Sequence, residues 1–438
     1  MSAADGVAAL NPQQRAAALT DARRVLVLAG AGSGKTRTLV SRLAHLVARG
    51  TPPERILLAT FTHRAAREMT DRAAEILGGS ARRIWAGTFH ALAYRRLKKH
   101  RPIQVIGPED QRDLLVRVIA EARPDTEARR FVGPKQLLSL RGLSVGLMRP
   151  LDEVVAQYAP DHAAWTNAMD RVLAVYQARK ADMQVVDFDD LLLDWYTHLA
   201  PGHDTELDHV LVDEFQDTTP LQAHIAERLA AQGALFVVGD DAQSIYGFRG
   251  ARFENILDFP RRKGTEVHTL TTNYRSTAPI LNIANESIAQ SSLQFPKKLV
   301  ATRKGRQKPV RVAAENNEEE AAFVAQHILA LYDQGLELKD IAVLYRAHRQ
   351  TPPIELELRR RNIPYVIRSG LRLFDQAHMR DALAFLKLLA HSKDEISWTR
   401  VLRMLPGVGP KTVQAVLTNM EPGASSAALK AAADSHRK

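Results

Sequence analysis

The chain has 438 residues, 45% of them hydrophobic, enough for two to four domains that each bury a core. It contains no cysteine, which excludes disulfides, thiolate metal sites, iron–sulfur clusters and cysteine nucleophiles and fits a reducing cytoplasm, the expected location. Lys and Arg number 60 against 49 Asp and Glu, a net charge of +11 that favours a polyanionic partner, and no apolar run approaches bilayer length, so no membrane role is expected.

Asn11 and Pro12 in Leu10-Asn11-Pro12-Gln13-Gln14 predict the cap and first turn of a helix. The apolar run Arg24 to Leu28 predicts a strand, and Ala29 to Thr36, AGAGSGKT, follows it directly. Ala29 stands where the phosphate-binding signature usually has Gly, but Gly30, Gly32 and Gly34 still let the backbone curl and aim its N–H groups, with the next helix's positive end, at one point. That point suits a polyphosphate, with Lys35 reaching its β and γ groups and Thr36 a ligand to Mg²⁺. Helical periodicity from Thr38 to Val47 ends at Gly50-Thr51-Pro52-Pro53, and Ile56 to Ala59 predicts a second strand.

At that strand's carboxyl end stands Thr60-Phe61-Thr62-His63-Arg64, where an aromatic between hydroxyls can stack on a base while its neighbours hold phosphate. The same grammar recurs after a short strand at Ile84 to Ala86, as Gly87-Thr88-Phe89-His90. From about Arg95 to Val185 the period is helical, an inserted domain whose basic run Arg95 to Arg101 is either a solvated face or a backbone contact. Asp187, Asp189 and Asp190 open a helix, where the helix dipole alone favours them. His203 and His209 match no familiar metal-ligand spacing.

The strand His209 to Val212 runs into Asp213 and Glu214, two carboxylates that the phosphate loop needs: Asp213 to complete a Mg²⁺ shell, Glu214 to orient and deprotonate water. A further strand, Ala234 to Val238, ends in a segment carrying Gln243, which can sense a γ phosphate, then Tyr246, Phe248 and Arg249. A second α/β unit is expected from near Val267, with strands at Val310 to Ala313 and Ile341 to Leu344 and with helices from Pro279, Glu318 and Thr351. Early in it Arg275 is placed to act as an arginine finger. Lys297 to Lys308 reads as a surface connection, Leu405 to Thr412 as a turn between helices able to offer amides to a DNA phosphate, and Ala424 to Lys438 as a frayed tail.

In this order the segments resemble the UvrD/Rep/PcrA family of superfamily 1 DNA helicases. LNPQQ resembles the Q motif, which implies Gln14 on the adenine edge. AGAGSGKTR resembles motif I, implying nucleotide contacts from Gly30, Ala31, Gly32, Ser33, Gly34, Lys35, Thr36 and Arg37, with Thr36 and Asp213 on Mg²⁺. TFTHRAAREM and GTFHALA resemble motifs Ia and Ib, implying single-stranded DNA contacts from Phe61, Thr62, Arg64, Thr88 and His90. VDEFQDT, VGDDAQSIYGFRGA and NYRST resemble motifs II, III and IV. By that likeness Glu214 is the catalytic carboxylate, Gln243 meets the γ phosphate, Tyr246, Phe248 and Arg249 meet DNA, Tyr274 stacks on adenine and Arg275 is the finger. His63-Arg64 stands where Asn-Lys is usual and Phe248 where Trp is usual.

The resemblance implies an α/β fold: a RecA-like P-loop motor domain 1A (1–94 and 186–270), a helical insert 1B (95–185), a partial second RecA-like domain 2A (271–390) and the start of 2B (391–438). Nothing after Leu405 resembles motifs V and VI, which complete 2A in the family. The leading expectation is an ATP- and Mg²⁺-dependent 3′ to 5′ DNA helicase or translocase acting on single-stranded DNA and on junctions with duplex. The second is a truncated, nucleotide-responsive DNA-binding module with little turnover that depends on a protein partner to complete 2A.

Overall fold

The computed structural model describes residues 8–122, 131–199, 207–368, 377–390 and 394–418. The chain divides into two compact units, Met1–Gln307 and Lys308–Lys438.

The first unit is built on a six-stranded parallel sheet of β1 (Arg24–Ala29), β2 (Ile56–Ala59), β3 (Trp85–Gly87), β6 (His209–Val212), β7 (Ala234–Gly239) and β8 (Thr265–Leu270), in the order β3-β2-β6-β7-β1-β8. Alternate residues of each strand serve opposite layers. Leu26, Leu28, Leu57, Val210, Val212, Leu235 and Val237 pack one face with Phe89, Trp195, Phe215 and Ile225. Val25, Val27, Ile56, Leu58, Leu211, Phe236 and Val238 pack the other with Leu39, Leu43, Met69 and Leu270. Burial on both faces explains why β1, β2, β6 and β7 read as unbroken apolar runs. Helices α1 (Pro12–Leu19), α2 (Lys35–Ala48), α3 (His63–Leu77) and α4 (Phe89–Leu97) alternate with the first strands, and three of them have a polar side-chain cap: Asn11 with Gln14 for α1, Thr62 for α3 and Thr88 for α4.

Between β3 and β6 the chain leaves the sheet for the helices α5 (Pro108–Ala122), α6 (Pro134–Leu147), α7 (Leu151–Tyr158) and α8 (Thr166–Asp182). The excursion is closed at its base by a parallel pair, β4 (Gln104–Val105) on β5 (Val185–Val186). The acidic opening of α9 (Phe188–His198) has a structural use. Asp187 caps the helix, and Arg141 of α6 reaches Asp187, Asp189 and Asp190 at 3.0, 2.9 and 2.7 Å. Lys180 of α8 adds a bond to Asp190 at 2.5 Å and one to Asp187. The Lys180 and Asp187 side chains are 2% and 0% exposed, so losing one partner would strand a buried charge, at a cost of about 3–5 kcal/mol. Helices α10 (Pro220–Leu229) and α11 (Glu254–Asp258) complete the layers around β7.

The chain departs from the sequence reading after β8. Val267 opens no second sheet; it lies in β8, parallel to β1, and the unit continues through β9 (Thr272–Thr277), α12 (Ala278–Ala289) and β10 (Val300–Arg303), with β9 paired to β10. The compact division falls at 307/308. The stretch from Lys297 is anchored too: Lys297 is buried against two carboxylates, and β10 follows it.

In the second unit, α13 (Asn317–Asp333) packs on α14 (Thr351–Arg360) through Ala325, Ile328, Leu358 and Ile363. Helices α15 (Ala377–Ala390), α16 (Glu395–Leu402) and α17 (Pro410–Thr418) follow, with Trp398, Leu402 and Val413 as their core. The strands expected at Val310 to Ala313 and Ile341 to Leu344 are not formed among the described residues; a strand requires a hydrogen-bonded neighbour, and Val310 and Leu344 are 83% and 95% exposed. The turn at Leu405 to Gly409 joins α16 to α17, as read. His203 and the tail from Ala424 lie outside the described residues.

Candidate nucleotide and nucleic-acid site

All the chemistry-bearing loops of the first unit leave the sheet at the carboxyl ends of its parallel strands, where open α/β sheets place ligands. After β1, the loop Gly30 to Gly34 turns into α2 with Ser33 donating to the Gly30 carbonyl through both its N–H (3.1 Å) and its hydroxyl (2.7 Å). Gly34, at φ +90°, caps α2, which begins at Lys35; Thr36 is half-buried and Arg37 exposed beside it. Gly32 is required twice over. Its φ is +71°, and a Cβ there would meet the Cβ of Arg275 at 2.6 Å.

That near-contact brings Arg275 to the phosphate loop. Asn273, 1% exposed, donates to the Ala31 carbonyl at 2.6 Å and accepts from the N–H groups of Arg275 and Ser276 at 2.9 and 2.7 Å, while the Tyr274 N–H donates to the Gly32 carbonyl at 2.9 Å. The half-exposed Tyr274 accepts from Asn11 Nδ2 at 2.8 Å, which places its ring beside the α1 cap. Gln14 is buried, its Nε2 donating to the Ser33 carbonyl at 2.9 Å and its Oε1 accepting from the Asn11 N–H at 3.2 Å. Both ends of the Gln14 amide are thus engaged by the chain's own loop and cap.

Lys35 donates to Glu214 at 2.6 Å. Glu214 sits in the left-handed region at φ 49°, a strained backbone of the kind found at reactive centres. Gln216 donates to the same Glu214 oxygen at 2.9 Å and accepts from the Asp240 N–H at 3.0 Å, and Gln243 donates to Asp240 at 2.5 Å. A continuous hydrogen-bonded chain therefore runs from the phosphate-loop lysine to Gln243.

Burial, with the Glu214 charge adding, pushes the Asp213 carboxyl up to about 7, and the same two causes push Asp217 up to about 6. Asp213 Oδ1 is buried and has no hydrogen-bond partner, an orphan that a cation would satisfy. Asp213 and Thr36 therefore fit Mg²⁺, an ion commonly held by one or two protein oxygens together with phosphate. Among the described residues no group of three or more His, Asp or Glu forms a cage able to hold a metal by itself.

Next to the carboxylates lies an aromatic ladder. The Phe61 ring stands 4.6 Å from Tyr246, Tyr246 stands 6.1 Å from Phe248, and the Arg249 guanidinium lies 5.4 and 5.6 Å from the last two rings. Phe248 is 69% exposed. Arg64 is exposed at the start of α3, while the Thr62 and Thr88 hydroxyls accept from the Ala65 and Ala91 N–H groups as helix caps. His90 is half-buried; burial, with His63 adding, pushes its imidazole down to about 4, so it is neutral at pH 7. Its ring meets the exposed Phe188 edge-on at 5.7 Å. Phe188, Gln216, Asp240 and Asn273 are site residues to which the sequence pattern assigns no role. Gln216 carried a signal, lying between two carboxylates in Glu214-Phe215-Gln216-Asp217.

Residues 10–263 match the UvrD/REP helicase N-terminal domain, and residues 268–425 match the UvrD-like helicase C-terminal domain. The chain is 34% identical over 93% of its length to the ATP-dependent DNA helicase PcrA of Staphylococcus aureus, and 35% identical over 93% to DNA helicase II of Escherichia coli. It spans 57% and 58% of the length of these two relatives. The mixed α/β architecture on a parallel sheet is that of a RecA-like P-loop fold, and the chain belongs to the UvrD/REP helicase family.

Proposed function

We propose that this chain binds ATP with Mg²⁺ at Gly30 to Arg37 and single-stranded DNA along the Phe61 to Arg249 ladder, as the motor of an ATP-dependent 3′ to 5′ DNA helicase or translocase. The observation that carries the reading is the single turn after β7. Gln243 on that turn is bonded to Asp240 within the carboxylate chain, and Tyr246, three residues on, is stacked in the ladder. Nucleotide state and base stacking thereby share one short segment. Both relatives are named as DNA helicases, which supports the assignment.

In this account Lys35 exchanges Glu214 for the β and γ phosphate oxygens, and the freed Glu214 carboxylate accepts a proton from the attacking water. Arg275, held at Gly32 by Asn273, meets charge on the γ phosphate, and Gln243 leaves Asp240 to do the same. Thr36 and Asp213 hold Mg²⁺, which when bound neutralises charge on the phosphates. Tyr274 takes the adenine ring, and Gln14 reaches the base edge by giving up one present partner. Phe61, Tyr246 and Phe248 stack on successive bases, Phe188 with His90 extends the stacking surface, and Thr62, Arg64, Thr88 and Arg249 contact the backbone.

The test is ATP-dependent strand displacement from partial duplexes with a 3′ or a 5′ single-stranded tail. Displacement confined to the 3′-tailed duplex is expected. Displacement from the 5′ tail alone would refute the polarity, and tight ATP and DNA binding without displacement or turnover would favour the nucleotide-responsive module completed by a partner.

A further inference from the structure

Lys297 is a buried lysine that the nucleotide reading leaves unused. Its side chain is 4% exposed, and its ammonium lies 2.9 Å from Asp240 Oδ1 and against Asp241 Oδ1. The two carboxylates are 4% and 1% exposed, so Lys297 rather than water is their shared counter-ion, and the trio keeps one net negative charge. Asp241 Oδ2 also accepts the Phe295 N–H at 2.9 Å, which ties down the backbone two residues before Lys297. On the far side, Asp240 Oδ2 accepts Gln243 Nε2 at 2.5 Å. One carboxylate therefore holds Gln243 by one oxygen and Lys297 by the other.

The segment that Lys297 anchors leads to the arginine. Leu299 exchanges two hydrogen bonds with the Asn285 side chain, each of 3.0 Å, and two residues beyond Lys297 its side chain lies against Gly30 of the phosphate loop. β10 then pairs with β9, whose Arg275 carbonyl accepts from Arg303 at 2.8 Å.

We propose that Lys297 is a positioning residue that couples Gln243, through Asp240, to the strand pair presenting Arg275. The inference rests on the nucleotide reading above. When a γ phosphate takes the Gln243 amide, Asp240 Oδ2 loses its donor, the carboxylate turns fully to Lys297, and segment 294–303 tightens.

The experiment is amide hydrogen exchange of the whole chain with and without Mg²⁺ and a non-hydrolysable ATP analogue, for the unsubstituted chain and for Lys297→Met/Asp241→Asn. The second substitution keeps the net charge of the trio at −1 but leaves Asp240 without its cation, so the thermal midpoint is measured alongside and exchange is compared at a temperature where both chains are folded. Exchange in 294–303 is expected to slow about 5-fold or more with analogue in the unsubstituted chain. In the variant it should not respond, and Lys297→Arg should restore the response. An equal response in the double variant, or none in the unsubstituted chain with analogue bound, overturns the proposal. The readout needs no turnover: a chain that binds the analogue and slows in this segment but shows no DNA-stimulated hydrolysis would sink the motor assignment and leave the coupling standing.

Discussion

Replacing Tyr246 by Ala removes the central rung of the ladder. Its ring stands between Phe61 at 4.6 Å and Phe248 at 6.1 Å, with the Arg249 guanidinium 5.4 Å away. A base–aromatic stack contributes about 1–3 kcal/mol, so the Kd for oligothymidylate should rise roughly 5- to 160-fold. Phe248→Ala should cost less, because that ring is at the exposed end of the ladder and its loss leaves the Phe61–Tyr246 pair intact. The assay is fluorescence anisotropy of a labelled oligothymidylate over a salt series. Tyr246 is uncharged, so the variant should shift log Kd without altering its salt slope, whereas Arg249→Ala should reduce the slope by about 1. An unchanged Kd in Tyr246→Ala, with the fold intact by circular dichroism, would remove the ladder from the DNA path.

Gly32→Ala forces a left-handed alanine and a Cβ 2.6 Å from that of Arg275, so ATP affinity should fall at least about tenfold by equilibrium dialysis; wild-type affinity would mean that Arg275 does not sit at the loop. Glu214→Gln should keep ATP binding while hydrolysis falls by about 10²-fold or more, and lost binding would make Glu214 structural instead. His90 has its folded pKa lowered from 6.5 to about 4, so the unfolded chain binds the extra proton between those values and stability falls as pH drops from 6.5 toward 4. The loss is on the order of 3 kcal/mol, and His90→Asn should flatten that limb of urea midpoint against pH; an unaltered limb would refute the burial argument.

The central strands β1, β2, β6 and β7 were legible because they are buried on both faces and so appear as apolar runs ending at polar turns. β2 and β6 fall on the expected residues Ile56–Ala59 and His209–Val212. The strand ends also placed Lys35, Asp213, Glu214, Gln243 and Tyr246 on one side of the sheet, since parallel strands bring their carboxyl ends together. What was hidden depends on partners distant in sequence. Lys297, in a basic run, reads as solvated, yet Asp240 and Asp241, more than 50 residues earlier, bury it. Val310 and Leu344 lie in apolar stretches that resemble strands, but local pattern cannot supply the neighbour that a ladder needs. Gln14 looks available to a ligand until the Ser33 carbonyl and the Asn11 N–H are seen to occupy its amide.

Steady-state ATP hydrolysis by the 438-residue chain, with and without single-stranded DNA and beside Lys35→Ala, tests the central assignment most directly. The account predicts a rate that rises about tenfold or more on adding DNA and is abolished in Lys35→Ala, because Gln243, which ends the hydrogen-bonded chain from Lys35, and Tyr246 of the ladder share the turn after β7. Hydrolysis indifferent to DNA, or surviving the loss of Lys35, would contradict it.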